Sequence, residues 1–463
     1  MSHLGHQPLS PLDGRYREAT APLTEYFSEA ALNRARVRVE IEWLIALCTE
    51  GVAGTSPLAE PSITALRGAV ESFGPDQISA IASYEATTKH DVKAVEYFVR
   101  DLLTEHGLDS LHELVHFGCT SEDINNVSYA LVVRDALHEI WLPGFRDIQT
   151  KLTELAKSWR NQPMLARTHG QPATPTTMGK EIAVFAHRMT RIISALQDFS
   201  FPAKFSGATA TFSAHVVAEP GVDWPRVSKK FVEDLGLEWN PLTTQIESHD
   251  GLAEVFSRMS HGNRILHNLA TDIWTYISLG YFRQIPEPGA TGSSTMPHKI
   301  NPIKFENAEA NCEISSALLD SLAQTLVTSR LQRDLTDSTT QRNIGVAMGH
   351  SLLAITNLRR GLNEIDLDAD TVNQDLATHW EVLAEAIQTV IRAEIVRGNS
   401  KVSDPYAVVK DLTRGTTIGA SELETFVAGL DISQDAAQTL SALTPATYVG
   451  LAASLVDYLN RDL

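Results

Sequence analysis

Four apolar stripes at helical spacing constrain this chain more than any other feature. Over 176–200, Met178, Ile182, Phe185, Met189, Ile192, Ile193 and Leu196 recur at three- and four-residue steps. Over 252–282 the series is Val255, Phe256, Met259, Leu266, Leu269, Ile273, Trp274 and Ile277. Over 306–330 it is Ile314, Ala317, Leu318, Leu322 and Leu326, and over 343–362 it is Ile344, Met348, Leu352, Ile355 and Leu358. Spacing of this kind lines one face of a helix and predicts its burial against other helices. Segments of about 20–30 residues exceed the usual helix of about 11–12 and predict an extended bundle. Period-two alternation is scarce. The expected fold class is therefore all-α, with strands confined to short hairpins near 200–222.

The 463 residues are enough for roughly three domains. Breaks at 51–61 and 74–75 mark shorter helices over 1–110, the long helices occupy 111–363, and Gly415, Gly429 and Pro445 punctuate short helices over 364–463. With 43% hydrophobic and 21% charged residues, the chain has the composition of a soluble globular protein with a large core. A net charge of −19 disfavours nucleic-acid binding, so no nucleic acid is expected as a partner. It also means that an anionic ligand must be drawn in by a local cationic site. Cys48, Cys119 and Cys312 are far apart and odd in number, which predicts no disulfide framework and a reducing, cytoplasmic setting. The most apolar run, 266–282, is interrupted by His267, Asn268 and Asp272, so no membrane span is expected. The first residues lack a basic-then-apolar signal pattern.

Five polar segments interrupt the helical pattern. Gly292-Ser293-Ser294-Thr295-Met296-Pro297-His298-Lys299-Ile300-Asn301-Pro302 packs glycine, hydroxyls, amide, cation and prolines into a loop between two long helices. Met296, Ile300 and Ile303 give it more apolar anchorage than a spacer carries. Arg167-Thr168-His169-Gly170-Gln171-Pro172-Ala173-Thr174-Pro175 reads as a loop leading into the 176–200 helix, with His169 either a structural loop histidine or a proton carrier held by neighbouring hydroxyls and amides. Thr87-Thr88-Lys89-His90-Asp91 reads as a helix start with Thr88 as cap and Asp91 completing a capping box, or as an anion site, or both. Cys119-Thr120-Ser121-Glu122-Asp123-Ile124-Asn125 offers capping chemistry and two hydroxyls for an anion. Arg330, Arg333 and Arg342, with Asp334, Thr336, Asp337, Ser338 and Asn343, form either surface ion pairs or a carboxylate and phosphate clamp. No phosphate-binding glycine loop, HExxH or EF-hand pattern occurs, and neither a metal nor a cofactor is expected.

The 292–302 loop resembles the signature loop of the fumarase/aspartase superfamily. Within it the chain resembles the bacterial adenylosuccinate lyase family over nearly its whole length. The segments that carry this are Ser10-Pro11-Leu12-Asp13-Gly14-Arg15-Tyr16, 87–97, 119–126, 167–175, Thr243-Thr244-Gln245-Ile246-Glu247 and Arg333-Asp334-Leu335-Thr336-Asp337-Ser338. The resemblance implies elimination of fumarate from adenylosuccinate to give AMP, and from succinylaminoimidazole carboxamide ribotide (SAICAR) to give AICAR, in purine biosynthesis. It implies three α-helical domains, with long central helices forming the core of a homotetramer whose active sites are shared between subunits. It makes Ser293 the base and His169 the acid. Lys299, Asn301, Thr120 and Ser121 are then expected on the succinyl carboxylates. Arg15, Tyr16, Arg333, Ser338 and Arg342 are expected on ribose phosphate and base, and Lys89, His90 and Asp91 near the phosphate, with His90 also supporting the acid. Gln245 and Asn307 are expected to orient the substrate. Ser206-Gly207-Ala208-Thr209-Ala210-Thr211-Phe212 departs from the family pattern, which carries a second glycine and an asparagine–tyrosine pair here, and Lys89 replaces another polar residue. Two alternatives stand beside this reading: another fumarate-releasing lyase, such as an argininosuccinate lyase, and a non-catalytic helical scaffold.

Overall fold

The computed structural model describes residues 8–286, 296, 299–413 and 419–460. Helices dominate the described residues. The four stripes form the helices Met178–Gln197, Asp250–Ser278, Ile303–Leu326 and Ile344–Asn363. Met178, Ile182, Met189, Phe256, Leu269, Leu322 and Leu358 are buried along them, as the periodicity requires.

On Ile303–Leu326 the buried face differs from the expected one. Ala308, Cys312, Ser315, Leu319, Leu322 and Leu326 point inward, whereas Ile314 is 46% exposed. The reason is Ser315, a polar residue that apolar counting leaves out of the stripe. Its hydroxyl receives the Asn263 amide at 2.9 Å and donates to the Ala347 carbonyl at 2.7 Å. Ser351 donates to Asn263 at 2.6 Å, and Trp141 Nε1 donates to Ser351 at 2.8 Å. A fully satisfied polar network therefore pins three long helices in register. Trp274, also expected inside, is 41% exposed.

A helical run absent from the list of stripes covers Ser121–Ala136 and Leu142–Ser158, joined by a π turn at Leu137–Trp141. Pro143 has no N–H for the carbonyl four residues back, and a widened turn just before it accommodates that gap.

The strands do not lie where they were expected. Pro163–Thr168 and Gln171–Thr177 pair antiparallel, so the 167–175 segment is a β-hairpin rather than a loop. His169 and Gly170 form its two-residue turn with φ of 54° and 74°, the sign that a tight hairpin turn requires. A bulge between Met164 and Ala166 takes up Pro175. Around 200–222 only Pro202–Ala203 is strand, and it pairs in parallel with Glu238–Trp239. Phe282–Gln284 pairs with Ile365–Leu367.

The chain divides into two compact units. The first is Met1–Phe145, Ile192–His267 and Ala308–Thr356; the second is Arg146–Arg191, Asn268–Asn307 and Asn357–Leu463. In the first, Trp43, Phe205 and Phe231 pack tilted and edge-on with centroids 4.5–5.2 Å apart, and Trp43 Nε1 is satisfied by the Phe117 carbonyl at 3.0 Å. In the second, Leu165 of the hairpin joins Leu376, Leu383, Ile387 and Ile391 in a core of short helices. No described helix is long and apolar enough to cross a membrane.

Candidate active site

The second unit carries His169, Lys299, Asn301 and Asn307. His169 stands exposed at the hairpin tip, and the hairpin beneath it is pinned by charge. Arg167 meets Asp375 at 2.6 Å, Tyr281 donates to the same carboxylate, and Thr174 donates to Glu385. Burial, then Asp375, pushes the Tyr281 phenol well up, so it stays a hydrogen-bond donor. An imidazole on a two-residue turn of a clamped ribbon is held in place yet open to a ligand. Lys299 and Asn301 are exposed. Asn307 accepts from Asn357 at 2.9 Å. Ser293 lies outside the described residues, as does most of the 286–302 loop.

The first unit holds Arg15, Tyr16, Lys89, His90, Asp91, Thr120, Ser121, Gln245, Arg333, Ser338 and Arg342. The Arg15 guanidinium lies 5.9 Å from the Tyr16 ring centroid, a cation–π distance. The helix after 87–91 is not capped by Thr88, which ends the helix Pro75–Thr88. His90 caps Asp91–Glu105 instead, its Nδ1 accepting from Lys93 N at 3.2 Å. Lys89, with φ 56°, ends one helix in the left-handed region and leaves room for His90 to begin the next. Asp91 does not form a capping box, because its carboxylate serves the Val92 N–H at 2.9 Å, Arg36 at 2.9 Å and Arg342 at 3.2 Å. Burial raises its pKa, but Arg36, the Val92 N–H and Arg342 outweigh burial and leave the carboxyl below its ordinary value. Arg342 also donates to the Ser338 hydroxyl at 3.1 Å, which brings Asp91, Ser338 and Arg342 together. A cavity of about 250 Å³ lined by Ser10, Asp13, Ser28 and Arg342 adjoins them. A larger one, about 530 Å³, is lined by Arg34, Arg38 and Arg67 and contains none of the expected site residues.

At the start of Ser121–Ala136, the Thr120 N–H is received by Asp123 at 2.8 Å, and the Ser121 hydroxyl has no hydrogen-bond partner among the described residues. Arg333 is not a free clamp. It binds the buried Glu122 at 2.8 Å and lies 3.7 Å from Asp337, which in turn lies 3.8 Å from His249. Gln245 donates to the Ala208 carbonyl at 2.9 Å, and its own N–H reaches Gln332 at 3.0 Å.

Two further signals converge on these segments. Non-glycine residues with positive φ include Lys89, His116, His169, Ala210, Phe212, His249 and Leu331, all within or beside them. Buried polar atoms without a hydrogen-bond partner among the described residues include Ser206 Oγ, His215 Nδ1, His249 Nε2, Arg333 Nε and Asp337 Oδ2. Strained backbone and unmet buried polarity are features that functional sites often show. Ala210, in the segment that departs from the family pattern, occupies φ 54°. Relieving the left-handed strain gains more than glycine loses in chain entropy, so Ala210→Gly should raise stability by roughly 0.5–1 kcal/mol in urea unfolding.

Sequence reading missed several residues here. His116 donates its N–H to Glu40 at 3.0 Å, and its ring nitrogen lies 2.6 Å from the same carboxylate. Burial lowers its pKa, but Glu40, Glu96 and Asp123 raise it further, and the net shift is upward. Lys204 and Asp123 form a fully buried pair at 2.9 Å. Little in the sequence marked Lys204, because a lysine near Phe201 and Phe205 is more often exposed than buried. No residue-type signal marked His116. Among the described residues no group of His, Cys, Asp and Glu side chains is arranged to hold a metal ion.

Residues 14–314 match the family model of the lyases, and 329–449 match that of the adenylosuccinate lyase C-terminal region. The chain is 44% identical to adenylosuccinate lyase of Escherichia coli (strain K12) over 98% of both chains. It is 45% identical to that of Legionella pneumophila (strain Corby) over 97% of both. In fold it is similar to a fumarate lyase from Mesorhizobium sp. BNC1, with a TM-score of 0.74, 20% identity and coverage of 95% of this chain and 97% of that one. It is also similar to 3-carboxy-cis,cis-muconate lactonizing enzyme from Pseudomonas putida, with a TM-score of 0.73, 22% identity and coverage of 95% and 96%. The chain belongs to the fumarase/aspartase superfamily of lyases and, within it, to the adenylosuccinate lyase family.

Proposed function

We propose that this protein is the fumarate-forming carbon–nitrogen lyase that cleaves adenylosuccinate to AMP and fumarate and SAICAR to AICAR and fumarate. The observation that carries this is whole-chain similarity to adenylosuccinate lyases, continuous through the C-terminal region particular to them. The substrates are small anions, and the chain answers its own negative field with arginines and lysines at the segments described above.

The chemistry is a β-elimination. Ser293 takes the proton from the carbon beside one succinyl carboxylate. That carboxylate holds the charge as an aci-carboxylate, the C–N bond breaks, and His169 protonates the departing nitrogen. Lys299 and Asn301, with the Thr120 and Ser121 hydroxyls, hold the succinyl carboxylates and stabilise the developing charge. Arg15, Tyr16, Lys89, His90, Asp91, Arg333, Ser338 and Arg342 hold the nucleotide end, and Gln245 and Asn307 orient it. A serine hydroxyl is a poor base, so its alkoxide needs a cation in a site closed to water, and Lys299 is assigned that part. Lys299→Met should therefore lower kcat by more than it raises KM, as steady-state rates will show; a change in KM alone contradicts the assignment.

The protein acts as a homotetramer with active sites shared between subunits. The apolar residues left exposed on long helices, Trp274, Ile314 and Val184 among them, support packing against further copies. A three-domain division at 1–110, 111–363 and 364–463 and a cytoplasmic location belong to the same reading. The test is purified protein with adenylosuccinate: AMP and fumarate formed in equal amounts support it, and no turnover would direct attention to argininosuccinate.

A further inference from the structure

Lys204 and Asp123 form an ion pair inside the first unit. Both side chains are completely buried, with Lys204 Nζ 2.9 Å from Asp123 Oδ1. Burial of this kind is unfavourable for either ion alone and demands further hydrogen bonds. Asp123 has them from two segments at once. Oδ2 receives Thr120 N at 2.8 Å, Oδ1 receives Ser206 N at 2.8 Å, and Gly207 N reaches Oδ2 at 3.0 Å. Lys204 Nζ donates onward to the Gly207 carbonyl at 3.3 Å. One turn further along the same helix, Asn126 brackets the Lys204 backbone, accepting its N–H at 2.8 Å and donating to its carbonyl at 3.0 Å. The two segments touch backbone to backbone: Gly207 has φ 84°, and a Cβ there would sit 3.1 Å from the Gly118 carbonyl. The next residue, Ala208, offers the carbonyl that fixes Gln245.

Neither charged side chain reaches the surface, so neither meets substrate. Their joint effect is to set where Thr120 and Ser121 stand relative to 206–208 and, through Ala208, Gln245. We infer that Lys204 and Asp123 are a positioning pair that holds the carboxylate-binding hydroxyls and the substrate-orienting amide in one arrangement. The inference rests on the adenylosuccinate lyase reading of those residues. Lys204 is the buried charge partner of the Asp123 carboxylate, which accepts from both segments. An amide in place of the carboxylate keeps one acceptor oxygen and turns a donor where the other stood, so it cannot accept from Thr120, Ser206 and Gly207 together.

The test compares wild type, Lys204→Met and the double variant Lys204→Met/Asp123→Asn as full-length purified proteins. Fumarate release is followed over a range of adenylosuccinate concentrations, with urea unfolding alongside. Lys204→Met should lose about 100-fold in kcat/KM, chiefly through KM, as misplaced binding groups do. The double variant buries no unpaired charge, so its unfolding midpoint should return toward wild type while its KM stays raised. A merely structural pair behaves otherwise: fewer molecules fold, kcat per total protein falls, and KM is unchanged. Wild-type KM in either variant, or a KM that recovers together with the midpoint, overturns the proposal. If Lys204→Met does not fold, the double variant alone decides. Absence of turnover by wild type instead overturns the functional reading on which the inference rests.

Discussion

His169→Ala is expected to lower the rate of fumarate release by about 10²–10⁴-fold, the range for loss of a general acid, with little change in stability. The stability half follows from geometry. The imidazole is exposed on a two-residue turn, and the hairpin is fixed by Arg167, Tyr281 and Thr174 rather than by His169. His169 holds φ 54°, so the variant keeps the left-handed strain, and urea unfolding should show a shift within about 1 kcal/mol. The rate half follows from the leaving group, a nitrogen that must receive a proton as the C–N bond breaks. The measurement is kcat with adenylosuccinate beside the unfolding midpoint. A variant within a few-fold of wild type would remove His169 from proton transfer.

Arg333→Met is expected to destabilise the fold by about 3–5 kcal/mol near pH 8, because it strands a buried charge. Arg333 meets Glu122 at 2.8 Å, and the Glu122 side chain is only 2% exposed. The deficit should shrink as pH falls. Burial raises the Glu122 pKa above its ordinary 4.5, and Arg333 and the Asn125 amide offset only part of that rise. A carboxyl with a raised folded pKa contributes stability below its unfolded value and loses it as pH rises through the folded one. Removing Arg333 lifts the folded value further and extends the loss to higher pH. Urea unfolding at pH 5 and pH 8 should show a small deficit at the lower pH and a large one at the higher. Equal deficits would mean that Glu122 is not the stranded group.

The helical scaffold was legible because its signal is redundant: each long helix repeats its stripe over many turns. Where one residue broke the pattern, the reading erred. Ser315 is polar yet faces inward, because Asn263 and the Ala347 carbonyl satisfy it, and so Ile314 was placed inside in its stead. The hairpin at 163–177 was hidden by Pro172 and Pro175, which read as loop but are tolerated in a two-stranded ribbon with only edge strands and a bulge. The polar segments were legible as chemistry, because hydroxyls, amides and cations clustered at breaks between helices. What local sequence did not reveal was pairing at long range. Asp123 looked like a cap and is also the anchor of 206–207, some 80 residues on. Arg333 read as either a surface ion pair or an anion clamp, and its partner is the buried Glu122 of a distant helix. Thr88 looked like the cap that His90 provides, because the preceding helix runs on to Thr88 and a left-handed Lys89 moves the next start two residues along.

The central claim is that this chain eliminates fumarate from adenylosuccinate with Ser293 as the base. The most direct test follows the absorbance of adenylosuccinate on mixing with wild type and with Ser293→Ala, and quantifies AMP and fumarate at the end. Wild type should convert the substrate to equal amounts of both products, and Ser293→Ala should be at least about 100-fold slower while folding as wild type does. No conversion by wild type, or a Ser293→Ala rate equal to that of wild type, would contradict it.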